Sequence, residues 1–406
     1  MKRRATPRHS GVGRWSVVAA LGVVATGATG CTRDAALGPP DSFQVLSPLG
    51  GPGAKPSQSK AGLPVLEPLP LGDPHAIPIH QQLAIGFAGE VLRTDYLAKQ
   101  LVRDIQVGGR GYGSRPRAAA AEPTILVLGG GGASDGAVIQ PGLALDGTFG
   151  AKDHPNAPWV ALDAYPDHDP ALPQTLAGVL GLMAASRVAD ANEARPTDPL
   201  VVGYARALEV IAREWRVGDG PAGMVQTAAG TAAQRQLFAA VRENGYVLTA
   251  DGKPRAPGDL LSDPGVTATV LYRLAQSKTV GRKVAPNEVY APFVKDRVPE
   301  GVSPAAVLGP FRNFQAKLLS AWARAVLEGH PPRDIADLID AYGRALPAER
   351  SEVVRIFVVT TYGATVKVGG VHPPDRDPGT ALPELTALAA QVAAGKLSSR
   401  AALAAP

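Results

Sequence analysis

Cysteine is almost missing from this chain: 406 residues contain one, Cys31. An intramolecular disulfide needs two thiols, and a CxxC metal or redox site needs as many, so both are excluded. Stability therefore has to come from burying an ordinary apolar core. Aromatic residues are also few, at 5% of the chain, although hydrophobic residues reach 45%. The apolar run from residue 17 to 25, "VVAALGVVA", falls far short of the roughly 20 residues that cross a bilayer as a helix. Concentrated positive charge is lacking as well. The whole chain carries 41 basic and 36 acidic residues, but Lys2, Arg3, Arg4, Arg8 and Arg14 precede that apolar run with no acid among them. Without those five, the remaining 36 basic residues balance the 36 acidic ones. A neutral chain without basic clusters gives no reason to expect nucleic-acid binding, which requires dense positive charge facing phosphates.

What is present begins with order along the N-terminus. A basic stretch, a short apolar stretch and the small residues Ala28-Thr29-Gly30 lead to Cys31, which is the layout of a secretory leader. The segment resembles the lipobox of bacterial lipoproteins, in which small residues precede a cysteine that is diacylated on sulfur and becomes residue one after cleavage. Ala28 stands where that class most often has Leu. The resemblance covers residues 1–31 and implies a signal peptide at 1–30, a lipid anchor on Cys31 and placement in the bacterial cell envelope. Thr32 after the cysteine, instead of Asp, resembles the pattern sorted to the outer membrane. Arg3-Arg4 suggests twin-arginine export, but Ala5-Thr6 and the missing apolar pair after it favour general secretion.

Residues 32–80 contain ten prolines and six glycines, a composition that favours extended, partly polyproline chain. Residues 31–80 are therefore expected to be a tether, reaching on the order of 150 Å if fully extended, with Leu63 to Leu71 able to dock.

From residue 81 to 406 the chain reads as a mainly α-helical domain with a small β element around residues 123–163, α+β being the alternative; a division near residue 195 is left open. Asp or Ser followed by Pro marks helix starts at Asp169-Pro170, Asp198-Pro199, Asp263-Pro264 and Ser303-Pro304. The side-chain oxygen caps an orphan N–H, and Pro suits a first helical position that needs no donor. After Pro199, residues Val201, Tyr204, Leu208, Ile211 and Trp215 recur on one face. Helices are also expected from His80 to Ile105, Thr231 to Asn244, Arg333 to Leu346 and Pro383 to Ala394. Strands are expected at "TILVLGGGG" from Thr124 and at "APWVALDAY" from Ala157. The segment 353–370 fits either a hairpin or a helix.

Two stretches could carry chemistry. The Gly129–Gly132 loop follows a strand, where backbone N–H groups can approach a phosphate or an oxyanion. Gly136, Pro141 and Gly142 break any helix that a dinucleotide site would need directly afterwards, and no P-loop Lys-Ser/Thr pair follows the glycines, so a plain turn is the reading taken. The second stretch holds Asp153, His154, Asp163, Asp167, His168 and Asp169 within 17 residues. His154, Asp167 and His168 are the candidate ligands for a divalent metal, although their spacing matches neither H-E-x-x-H nor the calcium loop. His330 and His372 read as loop residues. Phe311, Phe314 and Trp322 read as core packing on one helix.

No catalytic residue is assigned, and no cofactor is expected beyond that candidate metal. The preferred reading is a non-enzymatic, lipid-anchored envelope lipoprotein that binds or scaffolds an envelope protein partner. A surface-tethered metal-dependent hydrolase and a periplasmic small-ligand receptor are the alternatives.

Overall fold

The computed structural model of the chain describes residues 37, 42–110, 123–129, 139–162, 171–189, 198–218, 231–249, 255–280, 314–361 and 383–404. In chain order these form β1 (Phe43–Pro48), β2 (Val65–Pro68), α1 (Ile77–Ile85), α2 (Phe87–Arg110), β3 (Thr124–Leu128), β4 (Ile139–Leu145) and β5 (Lys152–Leu162). Then follow α3 (Leu172–Ala189), α4 (Pro199–Gly218), α5 (Ala232–Arg242), α6 (Pro257–Ser262) and α7 (Pro264–Gln276). The C-terminal part holds α8 (Phe314–Leu327), α9 (Ile335–Ala345), a 3₁₀ turn (Pro347–Glu349), α10 (Arg350–Thr361), α11 (Pro383–Ala393) and α12 (Ser399–Ala404). The chain is mainly helical with one small sheet.

That sheet closes on itself in the order β1-β2-β4-β5-β3. β1, β3 and β5 run parallel to one another, β2 and β4 run the opposite way, and the register fixes two distinct ends. At the near end β1, β3 and β5 begin and β2 and β4 finish; at the far end the reverse holds. Alternation along the strands splits their side chains between two cores. Leu46, Leu66, Ile125, Val127, Leu143, Leu145, Ala157 and Trp159 fill the barrel, with Leu37 packed against them. Val45, Leu126, Leu128, Val160 and Leu162 point the other way, into the large core made with the helices. So small a barrel has room for side chains only.

The tether expectation is corrected here. Residues 43–48 and 65–68 are barrel strands and Ile77 opens a helix, so from residue 42 the supposed spacer belongs to the folded body; in its Leu63–Leu71 stretch Val65 and Leu66 are buried while Leu71 is exposed. The β element is likewise wider than 123–163, because it recruits these two strands from before residue 80. Pro48 and Pro68 sit at strand ends, where a missing donor costs least.

β4 shows how proline and glycine enter a strand. Between Pro141 and Leu143 the pairing advances two residues on β4 but four on β5, from Pro158 to His154, so the extra residues bulge from β5 opposite Gly142, which takes φ +69°. Its carbonyl accepts a 2.8 Å hydrogen bond from the Trp159 indole inside the barrel. A Cβ on Gly142 would lie 2.7 Å from the Pro155 carbonyl oxygen.

The helices follow the sequence signals closely. Thr231 and Gln234 form a capping box on α5, Asp263 accepts from Gly265 and Val266 at the start of α7, and Asp198 accepts from Leu200. Val201, Tyr204, Leu208 and Ile211 are buried as expected, and so are Phe314 and Trp322. The ambiguous segment from Val353 is helix as far as Thr361. α3 packs against α2 and α4, and α4 against α7, so one apolar core runs through both sides of residue 195. Asp169-Pro170, Ser303-Pro304, Phe311 and His372 lie outside the described residues. Among the described residues no helix is long and apolar enough to cross a membrane.

Replacing Gly142 with Ala combines a positive φ with a backbone clash. The expected result is a loss of roughly 1–3 kcal/mol in denaturant-induced unfolding, accompanied by a change in Trp159 fluorescence.

Candidate functional site

Of the three sequence-nominated ligands, His154 alone lies among the described residues. His154 sits on β5 directly opposite Leu143, so it shares the barrel-facing side of that pair, while the adjacent Asp153 pairs with Ala144 on the other side. The imidazole Nε2 is buried without a hydrogen-bond partner. Leu162, at the opposite end of β5, is about 26 Å farther along the strand. Asp163, Asp167, His168 and Asp169 follow it in sequence and lie outside the described residues, as does Cys31. Among the described residues no three His, Cys, Asp or Glu side chains come together as a metal set. His330 is exposed, as a loop histidine should be.

Gly129 takes φ +73°, and a Cβ there would meet the Gly53 backbone nitrogen at 2.2 Å. The first glycine of the loop thus packs on the β1–β2 connection. The same loop carries Gly132-Ala133-Ser134-Asp135-Gly136, which matches G-x-S-x-G. A nucleophile elbow needs a sharp strand-to-helix turn; the next described element after β3 is the strand β4, which begins at Ile139, five residues after Ser134. Residues 132–136 themselves lie outside the described residues.

The polar centre that the structure does assemble was invisible in the sequence because its members are far apart in the chain. Asp95 and Lys99 lie one turn apart on α2, Arg187 comes from α3, and Thr124 is the first residue of β3. Asp95, Lys99 and Thr124 are fully buried and Arg187 nearly so. The Arg187 Nε donates to Asp95 Oδ1 at 2.7 Å. The Thr124 hydroxyl donates to Asp95 Oδ2 at 2.6 Å and accepts from Lys99 Nζ at 2.8 Å. Burial alone would raise the Asp95 pKa; the Arg187 and Lys99 charges and the two hydrogen bonds outweigh it and hold the carboxyl below its ordinary value. Nearby, burial and then the Asp95 charge push the Tyr204 phenol up, and its hydroxyl has no hydrogen-bond partner among the described residues.

The chemistry of this cluster is restricted by its bonding. The Thr124 proton is committed to Asp95 and its oxygen to Lys99, so the hydroxyl has neither a spare base nor a path to solvent. The arrangement suits a joint between barrel and helices. A second joint lies in the C-terminal helices: Lys317 on α8 reaches both Glu349 oxygens at 2.9 and 3.0 Å, and Tyr342 on α9 donates to Glu349 at 2.6 Å. Lys317 also donates to the Val280 carbonyl.

Glu209 behaves differently. It projects from α4 against Gly178 of α3, where an added Cβ would lie 2.3 Å from its Oε1. Burial pushes its pKa up to about 7, with the Arg206 charge pulling the other way.

No family model, no curated protein and no solved structure matches this chain. The functional reading therefore rests on its own residues.

Two stability measurements follow. Replacing Asp95 with Asn leaves two buried cations without their carboxylate and is expected to cost roughly 3–5 kcal/mol in chemical unfolding. Because the folded-state pKa of Asp95 is depressed, its contribution is present above the ordinary carboxylate range and is lost as pH falls through the folded value; the penalty of Asp95→Asn should shrink in acid. Glu209 has the opposite sign. Its folded form favours the proton, so stability declines as pH rises from about 4.5 through about 7. Glu209→Gln should be more stable than the parent at pH 8 and equal to it at pH 5, read from melting temperatures at both values.

Proposed function

We propose that this chain is a lipid-anchored lipoprotein of the bacterial cell envelope, held in the outer membrane by Cys31, and that its barrel and helical body bind or scaffold another envelope component. The observation that carries this reading is the solitary cysteine at the end of a basic, then apolar, then small-residue leader. Two acyl chains on the sulfur, with a third on the new amino terminus, exceed the two hydrophobic signals that stable anchoring requires. Structure adds support from the residues just beyond it. Leu37, six residues after Cys31, packs on the barrel interior, so the folded body starts almost at the anchor.

The binding or scaffolding half of the reading draws on how the buried polar groups are used. Asp95 and Glu349 each gather cations and hydroxyls from different elements, which stiffens the body instead of presenting a reactive group. The hydrolase alternative keeps one observation in its favour, the unpartnered Nε2 of His154, but only one of its three nominated ligands lies among the described residues.

One pair of proteins tests both halves. The parent chain should incorporate labelled fatty acid and yield a defined crosslinked protein partner in native membranes, while Cys31→Ala should lose the label and fractionate away from the membrane. Label that persists on Cys31→Ala would overturn the anchor, and recovery of a bound small molecule without any protein partner would favour a receptor.

A further inference from the structure

Large apolar side chains that stand in solvent are few among the described residues: Leu49 at 37%, Leu71 at 53% and Phe149 at 94% exposure. Scattered exposed leucines are ordinary. A phenylalanine left almost wholly bare is not, and its position is specific. Phe149 lies in the six-residue connection 146–151 between β4 and β5, flanked by Gly147 and Gly150, whose backbones close the turn with a 3.0 Å hydrogen bond.

Strand direction decides where that turn points. β4 finishes and β5 begins at the near end of the barrel, so Phe149 projects from it. Leu71 follows β2, which pairs in parallel with β4 and finishes at the same end. β1 begins there too, so the chain enters the fold at this end, with Leu37 packed against the barrel core as it arrives. Cys31 precedes Leu37 by six residues, a contour of at most about 21 Å. Leu49, by contrast, follows β1 and lies at the far end. Charge around the turn is mixed: Asp146 stands on one side and Lys152 and Asp153 on the other. Attraction to the surface must then come from apolar burial.

We propose that the near end of the barrel is the membrane-facing surface of this protein, with the Phe149 ring inserted into the bilayer interface beside the lipid on Cys31. This rests on the lipoprotein reading above, since the acyl chains bring that end to the membrane. A ring that inserts there adds a second, shallow contact that fixes the orientation of the body, in the way apolar residues of interfacial segments enter the headgroup boundary.

The test uses the full lipidated chain, whose only cysteine is acylated, so that an introduced Phe149→Cys supplies the single free thiol for an environment-sensitive fluorophore. Leu49→Cys, labelled in the same way, reports the far end. Both are reconstituted in protein-free vesicles of phosphatidylethanolamine and phosphatidylglycerol, and mass spectrometry of the Cys31 peptide verifies acylation. The expected result is a blue shift and a severalfold drop in iodide quenching at position 149, with position 49 remaining fully quenchable. Acylated protein with equal quenching at both positions overturns the proposal alone. A Cys31 peptide without lipid overturns the lipoprotein reading and this proposal with it. Shielding at position 149 that appears in native envelope membranes but not in protein-free vesicles would assign the ring to a protein partner and overturn insertion.

Discussion

Asp95 is a charge removed from water, and the means by which its burial is compensated decide how the barrel sits on the helices. An isolated carboxylate in such a place would cost several kcal/mol. Here it is offset by Arg187 from α3, Lys99 from its own helix and the Thr124 hydroxyl from β3. Because the compensating groups come from different elements, none of those elements can slide by a residue without stranding a charge. The constraint propagates further. The Thr124 backbone N–H donates to the Ser42 carbonyl at 3.0 Å, so the residue that holds Asp95 also sets the position at which the chain enters β1.

The C-terminal helices obtain their registry in the same way from a different residue. Glu349 lies in the 3₁₀ turn between α9 and α10 and is approached by Lys317 from α8 and Tyr342 from α9. Apolar faces alone tolerate small shifts, since Leu and Val side chains repack over many neighbours. A buried carboxylate with fixed donors does not, because any displacement exposes an unsatisfied group. Two such points, one at the barrel and one among the last helices, pin a core whose apolar residues form one continuous cluster. Glu209 lies on the α3–α4 contact, where burial raises its pKa to about 7, so it loosens that contact with rising pH, whereas the depressed pKa of Asp95 keeps that carboxylate charged.

The helical part of this architecture was legible in the sequence because its signals are local. A capping box at Thr231, Asp caps at residues 198 and 263 and a 3.6-residue apolar period each occupy one turn or a few. The strands were legible only where they formed an unbroken apolar run, as in β3. β1 and β2 are short, end in proline and lie in a stretch whose glycines and prolines match a spacer; they become strands because β3 and β4, more than 70 residues away, supply their hydrogen-bonding partners. β4 carries Pro141 and Gly142 opposite a bulge in β5, two residue types that argue against a strand when read in sequence. The Asp95 cluster was hidden for a related reason. Asp95 and Lys99 share a helical spacing, but Thr124 and Arg187 lie far from them in the chain, so only the fold brings the four together.

Closure of the barrel also assigns chemistry to its two ends, which cannot be interchanged because parallel register fixes strand direction. The glycine-rich segment after β3 and the Asp- and His-containing segment after β5 both start from the far end, where Leu128 and Leu162 are direct partners. The chain enters at the near end, together with the bare ring of Phe149. His154 belongs to the opposite half of β5 from the segment that contains Asp167 and His168. Strand extension at about 3.3 Å per residue sets His154 far from Leu162, the end of β5 from which the chain runs on toward Asp167 and His168.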